Sequence, residues 1–248
     1  MKKYGLIGFP LENSFSKAFF DDFFYTEGIH ASYELFPLNK IEFINKIIGE
    51  NPDLNGLNVT MPYKNKVIPF LDEIDPIARD VQAINTIKIT RKGEKIVLRG
   101  YNTDVIGFKR SFMEFIGDKK GKCLILGTGG AARAVKYVLN ELNMPYKIVT
   151  RKETLPGKIN YKQLNKKYLQ EYPILINTTP LGMVPAMNDY PDIPYQHLTD
   201  GHFLFDLVYN PVETIFLRKG KEKGCKVTNG MNMLIYQAQE SWKIWQSH

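Results

Sequence analysis

Apolar residues gather in short runs along the first half of the chain, separated by stretches where they recur at helical spacing. Residues 4–9, 33–37 and 56–60 read as strands, and 16–28 and 40–48 as helices with one buried face. Phe19, Phe20, Phe23 and Phe24 form an aromatic stripe at that spacing, a pattern of core packing. The order is β-α-β-α-β. Beyond it, 64–71 is read as helical, Asp75-Pro76 as the capped start of a further segment, and 83–90 with 95–100 as a hairpin turning through Arg91-Lys92-Gly93-Glu94. A helix is expected over 103–116.

Gly117-Asp118-Lys119-Lys120-Gly121 is polar and bounded by glycines, as joints between domains often are. From Lys122 the pattern restarts as strand (123–126), glycine turn, helix (131–142) and strand (146–150), with later strands at 174–177, 203–207 and 225–228. Such alternation predicts a parallel sheet with helices on both faces. Residues 231–246, after Gly230, read as a long amphipathic helix.

The glycine turn carries the first chemical signal. Lys122-Cys123-Leu124-Ile125-Leu126 runs into Gly127-Thr128-Gly129-Gly130-Ala131-Ala132, a strand followed by G-x-G-x-x-A and a helix. Gly127 suits a tight turn, Gly129 lets the backbone approach a pyrophosphate, and Ala132 lets the helix lie close on the strand. The helix amino terminus then faces the phosphate charge. At the end of the second strand, an NAD site usually offers Asp or Glu to the ribose hydroxyls; this chain offers Thr150-Arg151-Lys152, whose charges suit a 2′-phosphate. NADP is therefore the expected cofactor, and two surface cations after a strand is the plainer alternative.

A second signal lies in the first half. Asn58, Thr60, Lys64, Asn85, Thr86, Asn102, Thr103 and Asp104 fall at or just beyond the ends of apolar strands, where open sheets bind ligands. Ser14 and Ser16 precede the first helix, placed to cap it or to hold a carboxylate. His30, His197, His202 and His248 show neither metal-ligand spacing nor a nucleophile partner, so no metal is expected and a histidine triad fits poorly. An ammonium held by a carboxylate can give or take a hydroxyl proton while a nicotinamide handles hydride, and Lys64 with Asp104 offers that pairing. A surface lysine is the competing reading of Lys64.

Composition narrows the partners. With 248 residues and 44% hydrophobic content, the chain is long enough for one large domain or two modest ones. A net charge of +7 would fit an anionic ligand, but the lysines are interleaved with acids, as in Arg218-Lys219-Gly220-Lys221-Glu222-Lys223. That run reads as a solvated helix face, so no nucleic-acid partner is expected. The two cysteines, Cys123 and Cys225, exclude a disulfide framework and read as core thiols of a reducing compartment, here the cytoplasm. The apolar run after Lys2 and Lys3 is broken by Pro10 and Glu12, which reads as a first strand and not a signal peptide. No stretch approaches the roughly 20 apolar residues that span a bilayer, so no membrane partner is expected.

Eight motifs resemble shikimate dehydrogenases, in that family's order and almost from end to end. They are Ser14-Phe15-Ser16, Asn58-Val59-Thr60-Met61-Pro62-Tyr63-Lys64, Ala83-Ile84-Asn85-Thr86, Gly100-Tyr101-Asn102-Thr103-Asp104, Gly127-Thr128-Gly129-Gly130-Ala131-Ala132-Arg133, Asn177-Thr178-Thr179-Pro180-Leu181-Gly182-Met183, Asp206-Leu207-Val208-Tyr209-Asn210-Pro211 and Gly230-Met231-Asn232-Met233-Leu234-Ile235-Tyr236-Gln237-Ala238. The resemblance implies NADP-dependent, reversible interconversion of 3-dehydroshikimate and shikimate, a step toward chorismate and the aromatic amino acids. It implies a two-lobed α/β fold with a cleft: an α/β substrate domain over 1–104 and 230–248, and a Rossmann-type, doubly wound parallel-sheet nucleotide domain over 105–229. Assembly is expected as a monomer or homodimer.

By position, the resemblance makes Lys64 and Asp104 the catalytic pair. Ser14 and Ser16 would hold the substrate carboxylate, and Thr60, Asn85 and Gln237 the ring hydroxyls, with Tyr209 nearby. Gly127, Thr128, Gly129, Gly130, Ala131, Thr150, Arg151, Lys152, Thr178 and Gly230 would line the NADP site. Beside an ionised Asp104, Lys64 is expected to be an ammonium at neutral pH, and shikimate oxidation, which needs the free amine, to quicken at alkaline pH. The chain is short for the family and departs from it in carrying Tyr63 where histidine is frequent and Thr150 where asparagine is frequent. Two rival readings are a quinate/shikimate dehydrogenase with relaxed cofactor use and a non-catalytic module that senses NADP or a metabolite.

Overall fold

Each half of the chain builds its own six-stranded sheet. A computed structural model describes residues 1–11, 14–93, 95–151 and 157–247. They fall into two compact units, Met1–Ile106 with Gln237–His248, and Gly107–Tyr236. The breaks lie inside two helices, whereas the sequence reading set them at 104/105 and 229/230, near the helix starts. The glycine-bounded stretch 117–121 lies within the second unit, as the loop from a helix ending at Ile116 to a strand beginning at Cys123.

The first unit runs β1 (Lys2–Gly8), α1 (Phe15–Thr26), β2 (Ala31–Pro37), α2 (Ile44–Glu50), β3 (Leu54–Val59), β4 (Glu73–Ile74), α3 (Pro76–Val81), β5 (Thr86–Lys92), β6 (Lys95–Tyr101) and the start of α4 (Thr103–Ile116). Its sheet order is β2-β1-β3-β5-β6-β4. β1 is parallel to β2 and β3, and β5 is antiparallel to β3 and β6. The register sets Asn58 opposite Thr86 and Thr86 opposite Tyr101. The segment after β3, the entry to β5 and the exit from β6 therefore meet at one end of the sheet.

The expected helix over 64–71 does not form; only a three-residue 3-10 turn, Ile68–Phe70, is present. One helical bond closes, from Val67 N to Tyr63 O at 3.0 Å. Pro69 then brings no N–H to continue the ladder, and the next bond tightens to Phe70 N on Val67 O. The Lys64 carbonyl is taken instead by Ile84 N at 2.6 Å, which pins the lysine to the entry of β5.

The second unit continues with β7 (Cys123–Leu126), α5 (Gly130–Glu141), β8 (Tyr146–Thr150), β9 (Lys158–Asn160), α6 (Lys166–Glu171), β10 (Ile174–Asn177), β11 (Phe203–Asp206), α7 (Ile215–Lys221), β12 (Lys226–Thr228) and α8 (Met231–Gln246), which runs on into the first unit. Every pairing is parallel, in the order β12-β11-β10-β7-β8-β9. This is the doubly wound arrangement, with its switch point between β7 and β10.

The aromatic stripe of α1 is core, as its spacing predicts. Phe20 and Phe24 are buried, and Phe20 stacks on Tyr33 with centroids 4.7 Å apart. The far end of α8 joins them: Trp245 stacks on Tyr4 at 4.8 Å and donates its indole N–H to Ile87 O at 3.0 Å. A side chain on Gly56 would overlap that indole, so glycine there permits the close approach. Aromatic packing thus anchors the end of α8 and fixes where Gln237 and Ser241, earlier on that helix, are presented. Among the described residues, no helix is long and apolar enough to cross a membrane.

Candidate active site

At the sheet end defined by Asn58, Thr86 and Tyr101, buried polar side chains converge. Lys64 Nζ donates to Asp104 Oδ2 at 2.6 Å, with side-chain exposures of 27% and 12%. Asp104 Oδ1 accepts the Asn85 amide at 2.9 Å. The orientation of that amide is forced: the backbone N–H of Thr103 requires an acceptor and takes Asn85 Oδ1 at 2.7 Å, so Nδ2 must face the carboxylate. Gln237 Oε1 lies 3.4 Å from both Asn85 Nδ2 and Thr103 Oγ1. Lys64, Asp104 and Asn85 therefore form one hydrogen-bonded group, with the Gln237 amide oxygen at its edge.

Behind this group lies a second polar layer. Asn58 donates to Asn85 O at 3.2 Å and to Ser241 Oγ at 3.0 Å, while Tyr33 donates to Asn58 Oδ1 at 2.8 Å. Tyr33 is wholly buried; burial pushes its phenol well up, against the contribution of a hydrogen bond with Ser16. Ser14 caps α1, accepting from Lys17 N at 3.3 Å. Thr60 follows β3, its N–H on Ile7 O at 2.9 Å. Tyr63 is buried, and its hydroxyl donates to Leu38 O within the core.

The second unit carries the glycine turn at its switch point. Gly127 has φ +112°, in the region that favours glycine, and a side chain there would meet Thr178 Oγ1 at 2.8 Å and Thr179 Cγ2 at 2.9 Å. Thr178 in turn bonds Leu126 O through its backbone N at 3.0 Å and its hydroxyl at 2.7 Å. The ends of β7 and β10 are thereby fastened together. By contrast, a β-carbon on Gly129 or Gly130 would meet nothing within 4 Å, leaving open space over the amino terminus of α5, flanked by Thr128 and Ala131. Thr150 is buried at the end of β8, and Arg151 beyond it is exposed, with its carbonyl accepting from Asn160 at 3.2 Å. Lys152 lies outside the described residues.

Asp206 organises the loop that bears Tyr209. It is fully buried, and its carboxylate accepts from Asn177 at 2.9 Å, Val208 N at 3.0 Å and Thr214 at 2.6 Å. Burial nevertheless pushes its carboxyl up to about 6, the three bonds opposing. Tyr209 is half-buried, and burial raises its phenol. Gly230 donates to Val208 O at 3.1 Å, and a side chain on it would overlap the Leu207 carbonyl.

Sequence reasoning assigned no role to Ser241, Tyr33 or Asp206. For Ser241 a signal existed: it follows Gln237 by four residues and so shares its helix face. Tyr33 read only as a strand residue, and Asp206 carried no sign of its burial.

Residues 6–87 match the family model described as the shikimate dehydrogenase substrate binding domain. The shikimate dehydrogenase (NADP(+)) of Methanococcus aeolicus is 37% identical over 258 residues, covering 98% of this chain and 91% of that one. Among solved structures, shikimate 5-dehydrogenase from Thermus thermophilus, in complex with NADP(H) and shikimate, is 29% identical with a TM-score of 0.84, covering 99% of this chain and 94% of that one. The quinate dehydrogenase from Corynebacterium glutamicum, in complex with NAD, is 25% identical with a TM-score of 0.87, covering 99% and 93%.

Proposed function

The chain belongs to the shikimate dehydrogenase family, and on that premise we propose that its Lys64–Asp104 pair carries the proton in reversible, NADP-dependent reduction of 3-dehydroshikimate to shikimate. The protein is an NADP-dependent oxidoreductase of the route to chorismate and the aromatic amino acids. One observation carries the site assignment: Lys64 Nζ is 2.6 Å from Asp104 Oδ2, while Asn85 occupies the other carboxylate oxygen. The ion pair keeps the amine in place and its remaining protons free for a substrate oxygen.

The second unit fits the cofactor. The space over Gly129 and Gly130 is open where a pyrophosphate would approach the start of α5, and Gly127, Thr128, Ala131 and Thr178 border it. Thr150 with Arg151 and Lys152 would take the adenosine 2′-phosphate, and Gly230 would complete the site. Bound there, NADP(H) supplies the hydride donor or acceptor.

In reduction, Lys64 gives a proton to the carbonyl oxygen; in oxidation, it takes the hydroxyl proton back. Asp104 compensates the lysine charge and aims the amine. Thr60, Asn85 and Gln237 hold the ring hydroxyls, and Ser14 and Ser16 take the substrate carboxylate. Cys123 and Cys225 take no part: burial pushes their thiols up to about 12 and about 11. That suits the cytoplasm, where we place the protein.

The test is nicotinamide absorbance on mixing the protein with shikimate or quinate and, in parallel, NADP or NAD. Rapid NADP reduction with shikimate is expected. Preference for quinate with NAD would move the chain toward its quinate dehydrogenase relative, and ligand binding with no turnover in any arm would make it a sensor.

A further inference from the structure

We infer that Ser241 is a positioning residue for the Lys64–Asp104 pair, an assignment that rests on the function proposed above. Ser241 is fully buried on α8. Its hydroxyl oxygen has four polar neighbours: Thr86 Oγ1 at 2.8 Å, Gln237 O at 2.9 Å, Asn58 Nδ2 at 3.0 Å and Thr103 Oγ1 at 3.2 Å. A hydroxyl offers one proton and two lone pairs, so at most three of the four are bonded at once. The Asn58 amide N–H can only donate and the Gln237 carbonyl can only accept. Ser241 therefore gives its proton to Gln237 O and has one lone pair left, which the nearer threonine hydroxyl, Thr86, fills as donor.

This choice propagates. With its own proton committed, Thr86 stands as acceptor, toward Asn58 Nδ2 at 3.2 Å and toward Thr103 at 3.3 Å; the other acceptor within reach of the Thr103 hydroxyl, Asn85 Oδ1 at 3.2 Å, is already taken by the Thr103 N–H at 2.7 Å. Thr103 in turn accepts the Asn85 amide at 2.9 Å, and the second hydrogen of that amide holds Asp104 Oδ1. A single direction of donation thus runs from Asn85 through Thr103, Thr86 and Ser241 to the α8 carbonyl. Without the Ser241 oxygen, the Thr86 proton is free to turn to Asn85 Oδ1, 3.2 Å away, and without the Thr86 hydroxyl the Thr103 proton turns to that same atom, also at 3.2 Å; either one competes with the Thr103 N–H for the oxygen that orients the amide. The carboxylate that aims Lys64 then loses its fixed partner.

Steady-state kinetics of Ser241→Ala, Thr86→Val and the double variant test this, each beside a thermal melt. The expected result is a fall in kcat of about tenfold in each single variant, with KM for shikimate and for NADP within about twofold of the parent. The double variant is expected to be no slower than the slower single variant, because both cut one chain. A kcat within about twofold of the parent in either folded variant, a loss confined to KM, or losses that multiply would each overturn the assignment. If Ser241→Ala fails to fold, Thr86→Val decides alone. Absence of turnover in the parent overturns the proposed function and this inference together, whereas active variants with parental kcat overturn the inference only.

Discussion

Lys64 and Asp104, forty positions apart in the chain, meet at 2.6 Å because the segment after β3 and the exit from β6 reach the same end of one sheet. The carboxylate has its other oxygen on Asn85, so the pair cannot swing freely. Replacing Lys64 by alanine removes the proton donor and leaves the core untouched. Turnover is expected to fall by on the order of 10² to 10⁴ with little change in melting temperature. Near-parental kcat in that variant, measured by nicotinamide absorbance, would take Lys64 out of the mechanism.

Gly129 separates binding from folding. Its φ of −77° is open to any residue, and a β-carbon there would touch nothing within 4 Å. Gly129→Val is therefore expected to fold, melting below the parent by no more than the roughly 1 kcal/mol that a poorer N-cap costs α5, while its side chain fills the space where the pyrophosphate would lie. KM for NADP is expected to rise roughly tenfold or more, with KM for shikimate little changed. Unaltered NADP affinity in a titration would place the nucleotide elsewhere.

The second unit was readable from its strands because a parallel sheet buries both faces: Cys123–Leu126, Ile174–Asn177 and Phe203–Asp206 are buried at every position. β9, only three residues long, offers too few positions for a period to show. Residues 64–71 carried apolar residues at convincing intervals, yet Pro69 and the capture of Lys64 O by Ile84 N overrode them. Strand-end logic found Lys64, Asn85 and Asp104, since position along a strand is local information. The part played by Ser241 was invisible for the opposite reason: its Asn58 partner lies 183 positions away, and a serine inside a helix gives no sign of what it faces.

Gly230 sits where α8 begins, against the loop that carries Tyr209. A β-carbon there would overlap the carbonyl of Leu207, and backbone cannot yield as a flexible side chain would. Gly230→Ala is expected to cost roughly 1–3 kcal/mol, seen as a lower melting temperature, and to impair turnover by shifting Leu207 and Val208. A variant that melts with the parent would show that the loop relaxes without loss.

Asp206 gives stability a pH dependence of unusual sign. An unfolded aspartate titrates near 3.9, whereas burial holds Asp206 at about 6 in the folded chain. Between those values the folded state binds more protons than the unfolded state, so stability falls as pH rises through that window. The contribution is fully present below the unfolded value and is lost above about pH 6. For a fully buried group its upper size is on the order of 3 kcal/mol. Asp206→Asn abolishes the titration while an amide can still meet all three partners: its oxygen accepts from Val208 N and Asn177, and its NH₂ donates to the Thr214 hydroxyl. Other carboxylates contribute equally to variant and parent, so the difference between them isolates this group. The melting temperature of the variant relative to the parent is expected to climb from pH 4 to pH 7, tracking the window between the unfolded value and about 6. A difference that stays constant over that range would show that Asp206 does not exchange a proton there, and that its three hydrogen bonds outweigh its burial.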